Sequence, residues 1–172
     1  MADILFAMDT DLAQLQQCLT ETVQQHLMPL FTTVSRQYKH DGSVVTVADK
    51  LMQQKMTEVL QRDFPEIKLL GEEMTVNEQA ELLNSGEALW CLDPIDGTSN
   101  FASGMPFFSI SLALIEKGEV TLGVVYDPVM NECFSAKKGA GAWLNGQRLN
   151  AEISGLALIQ TLAIIDFKQT NK

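Results

Sequence analysis

Asp93 and Asp96 flank Pro94 and Ile95 directly after the apolar run Leu89-Trp90-Cys91-Leu92, so a turn three residues long can aim two carboxylates at one point. Oxygen ligands at that spacing suit a hard divalent cation, Mg²⁺ above all. Pro94 fixes its own φ, biases Asp93 toward an extended backbone and lacks an N–H, which helps to leave a carbonyl such as that of Ile95 available as a further oxygen ligand. Gly97, Thr98, Ser99 and Asn100 follow, and a helical turn started there would offer unpaired N–H groups to an anion. Carboxylate-held cations and backbone amides could then share one phosphate. The same six residues also make ordinary turn chemistry, with Asp96 capping a helix and Thr98 supplying a capping hydroxyl, and spacing alone leaves both readings open. Zinc has almost no ligands to draw on, because the chain holds only His26 and His40, and Cys18, Cys91 and Cys133 form no CxxC pair.

The elements that must position these groups can be read from periodicity. Leu12, Leu15, Leu19, Val23, Leu27 and Leu30 recur every three or four residues and predict an amphipathic helix from Asp9 to about Ser35, bent or ended near Pro29. Arg36 to Val45 is polar, holds Asp41-Gly42-Ser43 and reads as a surface loop. A second helix starts near Thr46 to Asp49 and runs to about Asp63, turning Leu51, Met52, Met56, Val59 and Leu60 inward, before Phe64-Pro65 ends it. Ile67 to Leu70 is a short strand that delivers Gly71-Glu72-Glu73 at its end. Thr75 and Glu78 match a capping box for a short helix that stops before Gly86, and Ala88 to Leu92 is the strand that feeds Asp93. Downstream, Phe107 to Glu116, Val120 to Tyr126 and Cys133 to Lys137 form an antiparallel meander, with Asn145-Gly146 as a further tight hairpin. Leu162 to Phe167 reads as a strand apolar on both faces, which the five remaining residues cannot cover, so either earlier helices cover it or the chain is cut short.

Composition narrows the function classes. At 172 residues, 46% apolar, the chain can bury a sizeable core without staples and predicts one compact domain, or one and a half at most. Twelve Lys+Arg against 22 Asp+Glu leave a net charge of −10, which disfavours direct nucleic-acid binding and repels a small phosphate unless bound cations reverse the local sign. No apolar stretch reaches the roughly 18 residues of a membrane span. Neither a signal peptide nor a cysteine framework is present, so the expectation is a reduced, cytoplasmic protein without membrane contact. There is no G-x-S-x-G elbow, no G-x-x-x-x-G-K-[ST] loop and no complete dinucleotide fingerprint.

Asp93-Pro94-Ile95-Asp96-Gly97-Thr98, between Leu89-Trp90-Cys91-Leu92 and Ser99-Asn100-Phe101, resembles the signature of the inositol monophosphatase family, Mg²⁺-dependent and typically lithium-sensitive phosphatases. Three further segments are similar in the same order: Asp41-Gly42-Ser43 with Val45-Thr46 and Ala48-Asp49; Gly71-Glu72-Glu73; and Gly123-Val124-Val125-Tyr126 through Lys138-Gly139 to Asn145-Gly146. The resemblance implies that Glu72, Asp93 and the Ile95 carbonyl bind one Mg²⁺, that Asp93 bridges to a second held also by Asp96, and that a third sits loosely near Glu72. It implies that Thr98 and Asp49 form the catalytic dyad that deprotonates and orients the attacking water, while the Gly97 and Thr98 amides bind phosphate oxygens. Lys39 would stand behind the metal ligands, and Glu73 would either do the same or serve as a helix-start carboxylate. His40 reads as a solvated loop residue and Cys91 as a small buried one.

The implied fold is α/β (α+β), the N-terminal part of an alternating αβαβα sandwich: two helices on an antiparallel sheet, with a second sheet starting at the C-terminus. Residues 1–150 would carry the metal site and 151–172 would begin a C-terminal part. Members of the family typically run longer and carry a W-D-x-A-A-G motif whose aspartate completes the second metal site; this chain ends before it. The expectation is therefore a truncated or partial phosphatase, inactive or partly active alone, whose full-length form is a homodimer. Inositol 1-phosphate is the favoured substrate, since Ser99-Asn100-Phe101 and Gly104-Met105-Pro106 look more like that branch. A bisphosphate nucleotidase or sugar bisphosphatase is the first alternative. A non-catalytic binding protein of the same fold is the second.

Overall fold

The computed structural model describes residues 10–35, 37–38 and 44–150. The expected strand at Leu162 to Phe167, the start of a second sheet, and the loop residues Lys39, His40 and Asp41-Gly42-Ser43 lie outside the described residues. The elements are α1 (Thr10–Thr22), β1 (Gln37–Tyr38), β2 (Val44–Val45), α2 (Val47–Asp63), β3 (Lys68–Gly71), α3 (Val76–Asn84), β4 (Leu89–Asp96), α4 (Thr98–Ala102), β5 (Ser109–Glu116), β6 (Glu119–Asp127), β7 (Glu132–Lys137), β8 (Gly141–Leu144) and β9 (Gln147–Arg148).

The chain from α1 stays helical after Thr22, first as a wide turn over Val23–Leu27 and then as a tight one over Met28–Leu30. Pro29 explains the change: it donates no hydrogen bond, and its ring crowds the carbonyl four residues back, so the regular ladder cannot pass through it. The segment read as a loop is shorter than expected, because Gln37 pairs with Val45 and Tyr38 with Val44 in a small antiparallel ladder.

One sheet runs in the order β3-β4-β5-β6-β7-β8-β9. The meander from β4 onward is antiparallel throughout, as the turn signals predict, but β3 and β4 are parallel, with α3 as their crossover. Sheet alternation is clean: Trp90, Leu92, Ile110, Leu112, Leu114, Leu122, Val124 and Tyr126 are buried against Leu15, Leu19, Val23, Met52, Met56 and Leu60 from the helices. Burying each such side chain contributes on the order of 1.5–3 kcal/mol, so this layer is what holds α2 in place over the sheet. Trp90 packs edge-on against Phe64 at 5.3 Å, and its indole N–H is buried without a partner among the described residues. By contrast α3 buries no residue, and its capping box of Thr75 and Glu78 carries much of its definition.

Candidate active site

The N-terminus of α2 supplies the first group. Thr46 is the N-cap, extended at φ −126° and ψ 170°, and accepts a hydrogen bond from the Ala48 N–H at 3.1 Å. Asp49 answers from the third helical position: its Oδ2 accepts both the Thr46 N–H and the Thr46 hydroxyl, each at 2.7 Å. This reciprocal cap leaves Asp49 only 1% exposed, with its other oxygen aimed across the core at Thr98. The Thr98 hydroxyl lies 3.0 Å from Asp49 Oδ1 and 3.0 Å from the Ile95 carbonyl. One hydroxyl carries one proton, so the two acceptors compete for it. The Ile95 carbonyl is therefore partly engaged by Thr98 and keeps one lone pair for another partner.

Thr98 opens α4 behind Gly97, the N-cap, which stands at φ +94°. A side chain there would meet both that left-handed backbone and the Phe107 carbonyl, which would lie 2.9 Å from a Cβ. Glycine is what lets the chain reverse from β4 into α4 beneath the segment that leads to β5.

The carboxylates come from β4 itself. The sequence predicts a turn after Leu92, but the strand continues to Asp96, and the irregularity is a β-bulge: Asp93 pairs with Ser111 and Asp96 with Ser109. Two residues of β4, Pro94 and Ile95, thus oppose the single Ile110 of β5. Side chains alternate along a strand, so Asp93 and Asp96 would otherwise fall on opposite faces; the extra residue returns both to the face of Ser109 and Ser111. Pro94 fits because a bulge needs no ladder donor there, while Ile95 stays in the core at 1% exposure. The Ile95 N–H donates to Asp93 Oδ1 at 3.1 Å.

Glu72 arrives from the neighbouring parallel strand. Its N–H donates to the Leu92 carbonyl at 3.3 Å, which sets it beside the residue that precedes Asp93. Burial, and then the Glu72 and Asp96 carboxylates, push the Asp93 carboxyl up to about 7. Burial and the Asp93 charge likewise raise the Cys91 thiol, which makes it a poor nucleophile.

The structure therefore brings Glu72, Asp93, Asp96, Ile95, Gly97, Thr98 and Asp49 to one end of β4, from segments up to 49 residues apart. Glu73 follows in the same turn, with its N–H donated to Gln53 Oε1 at 2.8 Å. Among the described residues no group of three or more acidic, histidine or cysteine side chains is placed so that it could hold a metal ion as it stands. The donor set nevertheless fits Mg²⁺: it is all oxygen and partly buried, and burial together with the Glu72 and Asp96 charges makes Asp93 hold its proton unusually tightly. Sequence reasoning named Thr46 only as a helix start and a motif residue, although Thr46-x-x-Asp49 matches a capping box, and it missed Gln53 and Gln79, for which no motif exists.

Comparison with known proteins adds a family. The model of the "Inositol monophosphatase family" matches residues 7–166. A Thermotoga maritima protein named fructose-1,6-bisphosphatase/inositol-1-monophosphatase is 42% identical over 106 residues, covering 62% of this chain and 39% of that protein. Among solved structures, the Thermotoga maritima IMPase superposes with a TM-score of 0.73 at 36% identity, covering 84% of this chain and 54% of that one. An IMPase/NADP phosphatase complexed with Mg²⁺ and phosphate superposes at 0.66 with 30% identity, covering 80% and 53%. The chain thus spans about two fifths of the curated relative's length and about half of the solved ones. Among the described residues no helix is long and apolar enough to cross a membrane.

Proposed function

Because the chain belongs to the inositol monophosphatase family, we propose that it carries the metal-binding and water-orienting groups of a Mg²⁺-dependent phosphomonoesterase. The observation that carries the reading is the Thr98–Asp49 hydrogen bond, formed between two distant segments beside three otherwise repelling carboxylates. Glu72, Asp93 and the Ile95 carbonyl would hold one Mg²⁺, with Asp93 and Asp96 serving a second; a third near Glu72 would be mostly hydrated. Bound there, the ions would supply charge neutralisation and a more acidic water. Two Mg²⁺ against three carboxylates leave about one net positive charge, enough to draw a phosphate dianion into an acidic protein.

The chain's own residues do the rest. Asp49, fixed by Thr46, draws the Thr98 hydrogen toward itself and turns the Thr98 oxygen outward as an acceptor. A water bonded to that oxygen gives up its proton to Thr98 as the Thr98 proton passes to Asp49 Oδ1. The Gly97 and Thr98 amides are offered to phosphate oxygens. Lys39 and Glu73 would act from behind the ligands. The favoured substrate is inositol 1-phosphate or a similar small monoester, with nucleotide or sugar bisphosphates as the alternative; the setting is cytoplasmic, and the full-length form is a homodimer.

The test is phosphate release from inositol 1-phosphate, fructose 1,6-bisphosphate and NADP⁺, with Mg²⁺ and with chelator. It is run on this chain and on a chimera completed with the C-terminal portion of the Thermotoga maritima relative. Mg²⁺-dependent release by the chimera supports the reading. A folded chimera that binds Mg²⁺ but releases no phosphate from any of the three overturns it in favour of a non-catalytic binding role.

A further inference from the structure

Two glutamines hold the backbone of the turn that carries Glu72, one from each side. Gln53, on α2, accepts the Glu73 N–H through its Oε1 at 2.8 Å. Gln79, on α3, donates through its Nε2 to the Gly71 carbonyl at 2.9 Å and to the Glu72 carbonyl at 3.4 Å. Gln53 stands four residues after Asp49, one helical turn along the same face, so a single helix fixes both Asp49 and the Glu72–Glu73 turn. The space for this contact is made by Gly71: a Cβ there would lie 2.2 Å from Gln53 Oε1, and no such side chain fits without expelling the amide. Glu72 itself is tied through its N–H to the carbonyl of Leu92, the residue before Asp93. The distance between the two carboxylates therefore depends on backbone bonds at Glu72 and Glu73 and on the amides that hold them.

We propose that Gln53 and Gln79 are positioning residues that form an uncharged amide clamp on the Gly71–Glu73 turn, and that this clamp sets the metal affinity of the carboxylates. The inference rests on the assignment of Glu72 and Asp93 as metal ligands. Amides suit the task because they fix three backbone groups without adding a charge that would attract or repel the cation. A carboxylate ligand that is free to swing away costs entropy each time it binds, and a clamp removes that cost in advance. The partners of metal ligands typically change affinity by about 10–100-fold when removed, and a clamp acting through the backbone belongs at the lower end of that range.

The experiment titrates the 172-residue chain with Mn²⁺, read by the resonance signal of the free ion, alongside hydrogen exchange at the Glu73 amide and thermal melting. Gln53→Ala and Gly71→Ala break the same contact by independent routes, one by deleting the amide and the other by displacing it. Each is expected to speed Glu73 exchange and to weaken Mn²⁺ binding by about tenfold. Gln79→Ala should weaken it less, since the Gln53 contact remains. Gln53→Glu keeps the acceptor but adds a negative charge, so it should return Glu73 exchange to near the parent rate and bind Mn²⁺ at least as tightly as the parent. Should Gln53→Ala fail to fold, Gly71→Ala reads the same contact. Faster exchange with unchanged Mn²⁺ affinity would make the clamp purely structural and overturn the inference. So would weakened binding that Gln53→Glu does not rescue. If the parent chain melts cooperatively and binds no Mn²⁺, the metal-centre assignment fails and the inference with it.

Discussion

The two halves of the site are finished to different degrees. Around Asp49 every acceptor has a donor: Thr46 gives two hydrogen bonds, Thr98 a third, and the arrangement is buried and self-consistent. Around Asp93, burial and then the like charges of Glu72 and Asp96 make the carboxyl hold its proton up to about 7. The first is a preorganised hydrogen-bond network that needs nothing added. The second is an electrostatic deficit that a cation would relieve. The contrast teaches that the hydrogen bonding which the proposed proton transfer would use is built into the fold, whereas the proposed cation side is only framed by it.

The strongest way to break this comparison is Asp93→Asn. Loss of cation charge stabilisation worth several kcal/mol corresponds to about 10³-fold in kcat/KM for phosphate release by the completed chimera. Retained Mg²⁺-dependent turnover in that variant would remove Asp93 from the metal site.

The same side chain makes a prediction in the metal-free chain. The folded Asp93 carboxyl titrates at about 7 against an ordinary value of 3.8, so the folded state binds the proton more tightly. Its contribution to stability is complete below about pH 4 and is lost as pH rises through about 7. Melting in the presence of chelator should therefore shift downward over that window. Asp93→Asn should flatten the shift, and Mg²⁺ should restore the parent at pH 8. A parent melting curve insensitive to Mg²⁺ at pH 8 contradicts the deficit.

On the finished side, Thr98→Ala should lower kcat of the chimera by about 10²-fold with little change in KM, the scale of one positioned proton acceptor. Asp49→Asn should do much the same, and the double variant should lose no more than the worse single one, because the two act as a unit. Multiplied losses would mean that they act separately.

Smaller again, Thr46→Ala removes the cap that fixes Asp49 and should cost about 1 kcal/mol in denaturant unfolding. The smallest effect belongs to Glu73→Gln. Its backbone N–H still reaches Gln53, so Mn²⁺ affinity should change by less than about fivefold, the scale of a screened charge. A loss equal to that of Asp93→Asn would mean that Glu73 is itself a ligand.

Much of this arrangement was legible in the sequence, and for definite reasons. Helix α2 and the meander show strong periodicities, and the Asp93 to Thr98 run concentrates its chemistry in six neighbouring residues. What the sequence hid depends on register and on space. A bulge within β4 looks like a turn, because Asp-Pro and Asp-Gly signal both. The parallel pairing of β3 with β4 follows from the α3 crossover, not from any local pattern. Gln53 and Gln79 sit among other glutamines, and only their distances to the turn single them out. The Thr46 cap was readable, and its pairing with Asp49 turned a helix-start signal into part of the site.

The bulge between Asp93 and Asp96 also makes this stretch an arithmetic device. An odd separation of three is converted into the effect of an even one, since the two acids oppose Ser111 and Ser109. Parity has no intermediate value, so the stretch should resist changes of length far more than changes of side chain. In a library built on this segment, substitutions at Cys91 or Ser99 should survive selection for Mn²⁺ binding. One residue inserted between Ile95 and Asp96 should not, because it would point the second acid toward the core.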